Sequence, residues 1–212
     1  MAETGIQVVE KLNTSTNGEI VAAKKRQMSL HGIEHRPVSV VTEKEVNAMA
    51  YAARSDRDKL LILTLFQCCL RASEAVQLTP KHRIPIKGRP VLAVLGKGKK
   101  LQLVPMPEAL SHRFGDYCSW HNIAETQRLF PITRFRALQI VKECAARANI
   151  GRRVYTHLLR HGGALKSLEK TGNLKALQIC LGHNDVKVTL RYLSTLQMVQ
   201  ALEIESKVTF DE

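Results

Sequence analysis

The sequence is poor in the features that mark membrane, secreted and zinc-binding proteins. No apolar signal core opens the chain, and its longest apolar run, at about residues 60–66, is far too short to span a bilayer. The five cysteines are an odd number without a C-x-x-C pair, which disfavours a disulfide framework and a zinc knuckle. These absences favour reduced thiols in a cytoplasmic protein that has no membrane partner.

Acidic residues are also few, and the resulting charge is unevenly spread. Lysine and arginine exceed aspartate and glutamate by 13, and the sequence pI is about 9.8. Residues 37–193 carry a net charge of +15, whereas residues 1–36 carry +1 and residues 194–212 carry −3. The positive charge of the central part of the chain favours nucleic acid as the partner, with an anionic membrane surface second. A soluble protein with a lysine-rich surface is the plainer alternative.

The apolar periodicity predicts a mainly helical domain with a small antiparallel β-sheet or hairpin, an α+β fold. Residues 1–36 show little pattern and are expected to form a mobile arm, so the domain should begin at about residue 37. A T-x-x-E capping box at Thr42 predicts the first helix, to about residue 54, and Asp56 is expected to cap the second. Short helical segments should follow after Arg71 and at about 107–120, 133–148, 157–170, 174–181, 186–193 and, as a last amphipathic segment, 196–204.

The segment LRASEAVQL, residues 70–78, places Arg71 and Glu74 one helical turn apart. An arginine between Leu70 and Ala72 is expected to be partly buried and therefore to need an anionic partner. That partner is either Glu74, in a structural ion pair, or a ligand.

The segment VLAVLGKGKKLQLVP, residues 91–105, contains two short apolar strands around Gly96 and Gly98. It predicts a β-hairpin whose tip carries Lys97. The glycines allow a tight turn and a close approach to a ligand. Taken alone, the segment fits a solvated turn lysine better.

The segment THLLRHGGALKSL, residues 156–168, places His157 and Arg160 on one face of a predicted helix. His157 and His161 also have the i, i+4 spacing of zinc-binding helices, but Leu158 stands where the H-E-x-x-H motif needs its glutamate. His161 is therefore expected to be a buried, hydrogen-bonded histidine.

The segment LGHNDVKVTLRYL, residues 181–193, contains His183 and, nine residues later, Tyr192. The tyrosine is either an ordinary buried phenol or a nucleophile oriented by the histidine. Two arginines beside it in a dry cleft can lower the pKa of the phenol, which is about 10 in the free side chain.

These four segments, in this order, resemble the tyrosine recombinase (phage integrase) family over about residues 37–206. The resemblance implies the family's catalytic-domain fold and cleavage of double-stranded DNA through a 3′-phosphotyrosine, without metal, cofactor or ATP. It implies that Arg71 and Arg160 clamp the phosphate, Tyr192 attacks it and Lys97 protonates the leaving oxygen. It further implies acid/base work for His157, orientation by His183, and a supporting role for Glu74, which would hold Arg71 or His157.

The resemblance also implies a homo-oligomer on DNA, from dimer to tetramer, joined by exchange of a C-terminal segment at about 194–212. That segment could equally pack on its own domain. Only 36 residues precede the catalytic part, where most family members have a separate DNA-binding domain, so the chain is either a short form or a fragment. Cys68-Cys69 and Gly162-Gly163 depart from the family pattern, and the glycine pair is expected to loosen its helix. A DNA-binding regulator that does not cut, and a topoisomerase, are the competing functions.

Overall fold

The computed structural model describes residues 40–96, 100–183 and 185–205, and the predicted arm at 1–36 and the tip residue Lys97 lie outside them. This part of the chain contains eight α-helices, one 3₁₀ turn and three strands. The helices are α1 (Glu43–Tyr51), α2 (Asp56–Gln67), α3 (Ala72–Ala75), α4 (Glu108–Trp120), α5 (Arg134–Arg147), α6 (Thr156–Thr171), α7 (Leu174–Leu181) and α8 (Val186–Glu205). The 3₁₀ turn is Pro80–His82, and the strands are β1 (Arg83–Ile86), β2 (Arg89–Leu95) and β3 (Leu101–Pro105).

Local capping fixes where these helices begin and end. The predicted capping box is present, since the Thr42 hydroxyl accepts from the Glu45 amide and the Glu45 carboxylate accepts from the Thr42 amide. The prediction that Asp56 caps α2 is wrong, because the Ser55 hydroxyl, one residue earlier, accepts from the Asp58 amide. Gly172 and Gly182 end α6 and α7 in the left-handed conformation.

The three strands form one antiparallel sheet in the order β1-β2-β3. The predicted hairpin consists of β2 and β3, and Leu95 opposite Leu101 is the strand pair next to its turn. The sequence did not predict β1, which pairs with β2. This strand is short, mostly exposed and interrupted by Pro85, so it has neither the length nor the alternation by which a strand is recognised.

The final helix is longer than predicted. We expected a helix that ends near residue 193 and a separate amphipathic segment at 196–204, but α8 runs through both without a break. Ser194 and Thr195, at the expected gap, donate their hydroxyl protons to the Leu190 and Arg191 carbonyls one turn earlier. These bonds satisfy the two hydroxyls inside the helix, so the pair does not interrupt it.

Buried apolar side chains form two clusters. The larger one fills the space between α1, α2, the inner face of the sheet, α4 and α5. The smaller one joins Cys69 to residues of α6, α7 and α8, and Tyr192 is a member of it. No helix in the described part of the chain is long and apolar enough to cross a membrane.

The glycine pair of α6 lies where that helix meets α2 and the residues before α1. A β-carbon on Gly162 would overlap the Val41 carbonyl oxygen, and one on Gly163 would overlap the Phe66 carbonyl oxygen. The pair therefore permits a backbone approach that no larger residue allows, in addition to the expected cost in helix propensity. This approach brings α6, with Arg160, against the end of α2 and the chain that leads to Arg71.

Candidate active site

Arg71 lies at the start of α3, where its own segment provides the anionic partner. Its Nη1 is 2.6 Å from Glu74 Oε1, and its backbone amide donates to Glu74 Oε2 at 2.7 Å. The side chain is one-third exposed, so one part of the guanidinium is fixed while another faces solvent. The partner left open in the sequence is thus Glu74, and Arg71 keeps an exposed surface for a ligand.

Arg160 reaches the same carboxylate from α6. Its side chain is only 1% exposed, its Nη1 lies 3.4 Å from Glu74 Oε2, and its Nη2 donates to the Leu181 carbonyl at 2.8 Å. Burial and the charge of Arg71 lower the pKa of Arg160, and Glu74 opposes that shift. Two guanidinium groups therefore share one carboxylate. The pair of arginines keeps a net positive charge at this place.

Tyr192, on α8, packs into the same place. Its side chain is 5% exposed and is buried in the smaller apolar cluster with Cys69 and Leu181. Burial raises the pKa of the phenol, and the positive charge of Arg160 opposes that shift. The tyrosine thus lies in a site formed by its own chain, within reach of the charge of Arg160.

The net shift of Tyr192 nevertheless differs from the sequence-based expectation. Desolvation by burial raises the pKa of the phenol and exceeds the opposing effects of Arg160 and Arg71, so the pKa of Tyr192 lies above its ordinary value. The two cations act in the expected direction, but the apolar wall around the ring disfavours the phenolate more than they favour it. In this structure Tyr192 is a protonated phenol at neutral pH.

His183 stands at the turn between α7 and α8. Its Nδ1 lies 3.0 Å from the Thr189 hydroxyl, and its ring is 6.2 Å from the Tyr192 ring, nearly parallel to it. Burial, Arg160 and Arg71 lower the pKa of His183 to about 4. The imidazole is therefore neutral at pH 7 and can donate or accept one hydrogen bond.

His157 occupies the first turn of α6 and is exposed. Burial of part of the ring, with the charges of Arg160 and Arg71, lowers the pKa of His157. It is an accessible and neutral base at the edge of the cationic site.

The structure therefore gathers six of the seven predicted residues through direct contacts or electrostatic interactions. They are Arg71, Glu74, His157, Arg160, His183 and Tyr192. Lys97 lies outside the described residues, so its place at the site stays a prediction. Within the described ranges no group of three or more His, Cys, Asp or Glu side chains is arranged to hold a metal ion.

The structure also brings in residues that the sequence did not single out for the site. His161 was expected to be buried and hydrogen-bonded, but it is half-buried, and its ring is tilted against that of Tyr192 with 4.8 Å between the centroids. Gln178, on α7, donates to the His183 carbonyl at 3.1 Å, and Gln102, on β3, donates to the Cys180 carbonyl. The i, i+4 spacing of His157 and His161 indicated that His161 lies on the same helix face as His157. The two glutamines could not be recognised in this way, because their contacts join segments that are distant in the sequence or depend on the turn at His183.

The amino-acid sequence matches a known protein family. The sequence model of the phage integrase family matches residues 39–197. A "Tyrosine recombinase" of Pseudothermotoga lettingae is 30% identical over 152 residues, which are 68% of this chain and 52% of the relative. The "Tyrosine recombinase XerC" of Erythrobacter litoralis is 38% identical over 144 residues, 62% of this chain and 44% of the relative. This chain spans about half the length of these relatives.

Solved structures share the fold. The crystal structure of XerA recombinase superposes with a TM-score of 0.67 at 21% identity, over 81% of this chain and 66% of that one. XerH recombinase, bound to a palindromic difH substrate after cleavage, also gives 0.67 at 21% identity, over 80% of this chain and 53% of that one. The catalytic domain of bacteriophage HP1 integrase gives 0.56 at 24% identity and is covered to 88% of its length.

Proposed function

Because this chain belongs to the phage integrase family, we propose that it is a site-specific DNA recombinase that cuts and rejoins double-stranded DNA through Tyr192. One observation carries the proposal, namely that Tyr192 is buried against Arg160 where two arginines share one carboxylate. The uncompensated positive charge suits a phosphodiester, since guanidinium groups bind phosphate oxygens in pairs. A structural tyrosine would not need two such cations beside it.

In the proposed cleavage step, the Tyr192 oxygen bonds to the phosphorus while the bond from phosphorus to the 5′ oxygen breaks. The products are a 3′-phosphotyrosine and a free 5′-hydroxyl. Arg71 and Arg160 stabilise the charge that develops on the non-bridging oxygens. The phosphotyrosine retains the bond energy, so the reverse attack by a 5′-hydroxyl rejoins the strand without ATP.

Two proton transfers accompany this step. The phenol is protonated before the attack, so it needs a base, and the exposed, neutral His157 is suited to accept the proton. The departing 5′ oxygen needs an acid, which the resemblance assigns to Lys97. His183, held by Thr189 and parallel to the Tyr192 ring, donates to a phosphate oxygen and keeps the phenol oriented.

We assign the catalytic domain to residues from about 37 onward, with 1–36 as an arm and 194–212 as the segment exchanged between copies. The partner is double-stranded DNA, on which two to four copies assemble, so the protein acts at chromosomal or mobile-element DNA. The palindromic substrate of XerH supports this assembly, since a palindrome offers the same half-site twice.

A covalent-trap assay tests the proposal. Duplexes with a nick and a randomised sequence around it are incubated with the protein, and the DNA that stays attached under denaturing conditions is recovered and sequenced. We expect one sequence motif to be enriched and the Tyr192→Phe variant to recover none. Noncovalent binding with no adduct from any duplex would instead identify a DNA-binding regulator, and relaxation of any supercoiled plasmid without site preference would identify a topoisomerase.

A further inference from the structure

Gln102 joins the β-hairpin to the end of α7. It lies on β3, faces the inside of the sheet opposite Val94 and is 7% exposed. Its Nε2 donates to the Cys180 carbonyl oxygen in the last turn of α7. Carbonyls in the last turn of a helix have no partner within the helix, so this side chain satisfies a group that the helix itself leaves open.

The same amide fills the space beside two glycines. A β-carbon on Gly182 would lie 2.5 Å from Gln102 Oε1, and one on Gly96 would lie 3.1 Å from it. Gly182 directly precedes His183, and Gly96 directly precedes Lys97. The Gln102 amide therefore lies between Gly96, at the end of the hairpin strand, and Gly182, in the turn before α8.

A second glutamine, in α7, holds this turn through its side chain and its backbone carbonyl. Gln178 donates from Nε2 to the His183 carbonyl at 3.1 Å, and its own carbonyl accepts from the His183 amide at 3.1 Å. The side chain is as buried as that of Gln102. The two glutamines thus contact the same turn. Gln178 bonds to His183 from within α7, and Gln102 bonds to Cys180 from the sheet.

We propose that Gln102 is a positioning residue, which keeps the hairpin in register with the turn that carries His183. Its function is to hold the group that protonates the leaving 5′ oxygen over the same phosphate that His183 and Tyr192 engage. This inference rests on the proposed recombinase function and adds a residue to it. Gln102 itself does not touch the reacting atoms.

Paired variants separate this role from a merely structural one. Gln102→Met keeps the length of the side chain but removes its hydrogen bond, and Gln178→Met is the same change on the other side of the turn. Each variant is tested on the duplex recovered by the covalent trap, made once with an ordinary scissile phosphate and once with sulfur in place of the bridging 5′ oxygen. A thiolate leaves without protonation, so the second substrate does not need the acid.

For Gln102→Met we expect cleavage of the ordinary duplex to slow about tenfold to a hundredfold, because small displacements of a reacting group have effects of that size. DNA affinity should stay unchanged, and the sulfur substrate should restore cleavage to the wild-type rate. Gln178→Met should slow both substrates to the same extent, because it loosens His183 and leaves the hairpin in place.

Three results would overturn the inference. They are wild-type cleavage by Gln102→Met, equal slowing of its two substrates, and the same sulfur rescue in Gln178→Met. If Gln102→Met does not fold, Gln102→Glu keeps the shape, lacks the Nε2 donor and is judged by the same three criteria. Absence of an adduct from the wild-type protein would contradict the proposed function itself, so the two failures are distinguishable.

Discussion

Glu74 is the residue on which the charge balance of the site depends. It is buried, it pairs with Arg71 at 2.6 Å and with Arg160 at 3.4 Å, and Arg160 has almost no contact with solvent. We predict that Glu74→Gln lowers the free energy of unfolding by about 3 kcal/mol or more, because it leaves buried positive charge without a partner. Urea denaturation in the absence of DNA measures this.

An exposed ion pair on the same helix as Arg160 provides the control for that variant. Lys166 and Glu169 lie 2.9 Å apart at the surface of α6. Glu169→Gln should lower the free energy of unfolding far less than Glu74→Gln, because solvent screens an exposed pair. Equal effects of the two changes would show that Glu74 is not a buried counter-charge.

The titration of His183 is a second test at this scale. Burial and two nearby arginines lower its pKa to about 4, so its imidazole should remain neutral when the pH falls from 7 to 5.5. NMR titration of the histidine ring signals in the DNA-free protein measures the pKa directly. A midpoint at or above 6.5 would contradict the placement of His183 beside Arg160 and Arg71.

At the residue scale, the sequence predicted the chemical groups better than their surroundings. The ion pair of Arg71 with Glu74 could be predicted, because both residues lie within one helical turn. The link from Glu74 to Arg160 could not, since 86 residues separate them along the chain. The raised pKa of Tyr192 was missed for the same reason, because the apolar side chains that desolvate it come from three other parts of the chain.

Among the elements, α6 offers the clearest test of packing. A β-carbon on Gly163 would overlap the Phe66 carbonyl oxygen, which belongs to the backbone of α2 and cannot move aside without shifting the helix. Gly163→Ala should therefore lower the free energy of unfolding by about 1–3 kcal/mol, the usual effect of overpacking. Helix propensity alone predicts the opposite, a gain of about 1 kcal/mol.

Gly115 in α4 is the matched control for Gly163. A β-carbon there would lie 3.0 Å from the Arg83 guanidinium, at the end of a side chain that can rotate away. Gly115→Ala should change the thermal unfolding midpoint little in either direction. If Gly163→Ala behaves in the same way, α6 does not approach α2 as closely as described.

The elements show which local signals were sufficient. The bounds of α7 were predicted correctly, because Asn173 caps its start, Gly182 ends it, and both ends are thus set locally. β1 was missed because its own residues show no strand pattern. It is extended because it pairs with β2, and this pairing is not visible in the local sequence. The continuity of α8 was missed because hydroxyl bonds to the preceding turn replace the expected break.

For the whole molecule, the histidines predict how stability depends on pH. The pKa values of His82, His157, His161 and His183 are all lowered in the folded state, chiefly by burial, so the unfolded chain binds more protons below pH 6.5. The free energy of unfolding should therefore fall as the pH drops from 6.5 to 5. Constant or rising stability in this window would contradict these shifts.

A carboxylate extends this acid sensitivity to lower pH. Hydrogen bonds from Arg152 and Thr42 lower the pKa of Glu45 to about 2, so the stability that this pair provides should be lost as the pH falls from about 4.5 to 2. Glu45→Gln should flatten the loss below pH 4.5 and leave the histidine window above pH 5 unchanged. Thermal melts across both windows distinguish the two contributions.

The central claim, that Tyr192 is the residue joined to DNA, is tested most directly by mapping the adduct in the trapped complex. After nuclease and trypsin digestion, mass spectrometry should find a nucleotide joined through its 3′ phosphate to the peptide that contains Tyr192. A nucleotide on any other residue, or one attached through its 5′ phosphate, would contradict the account.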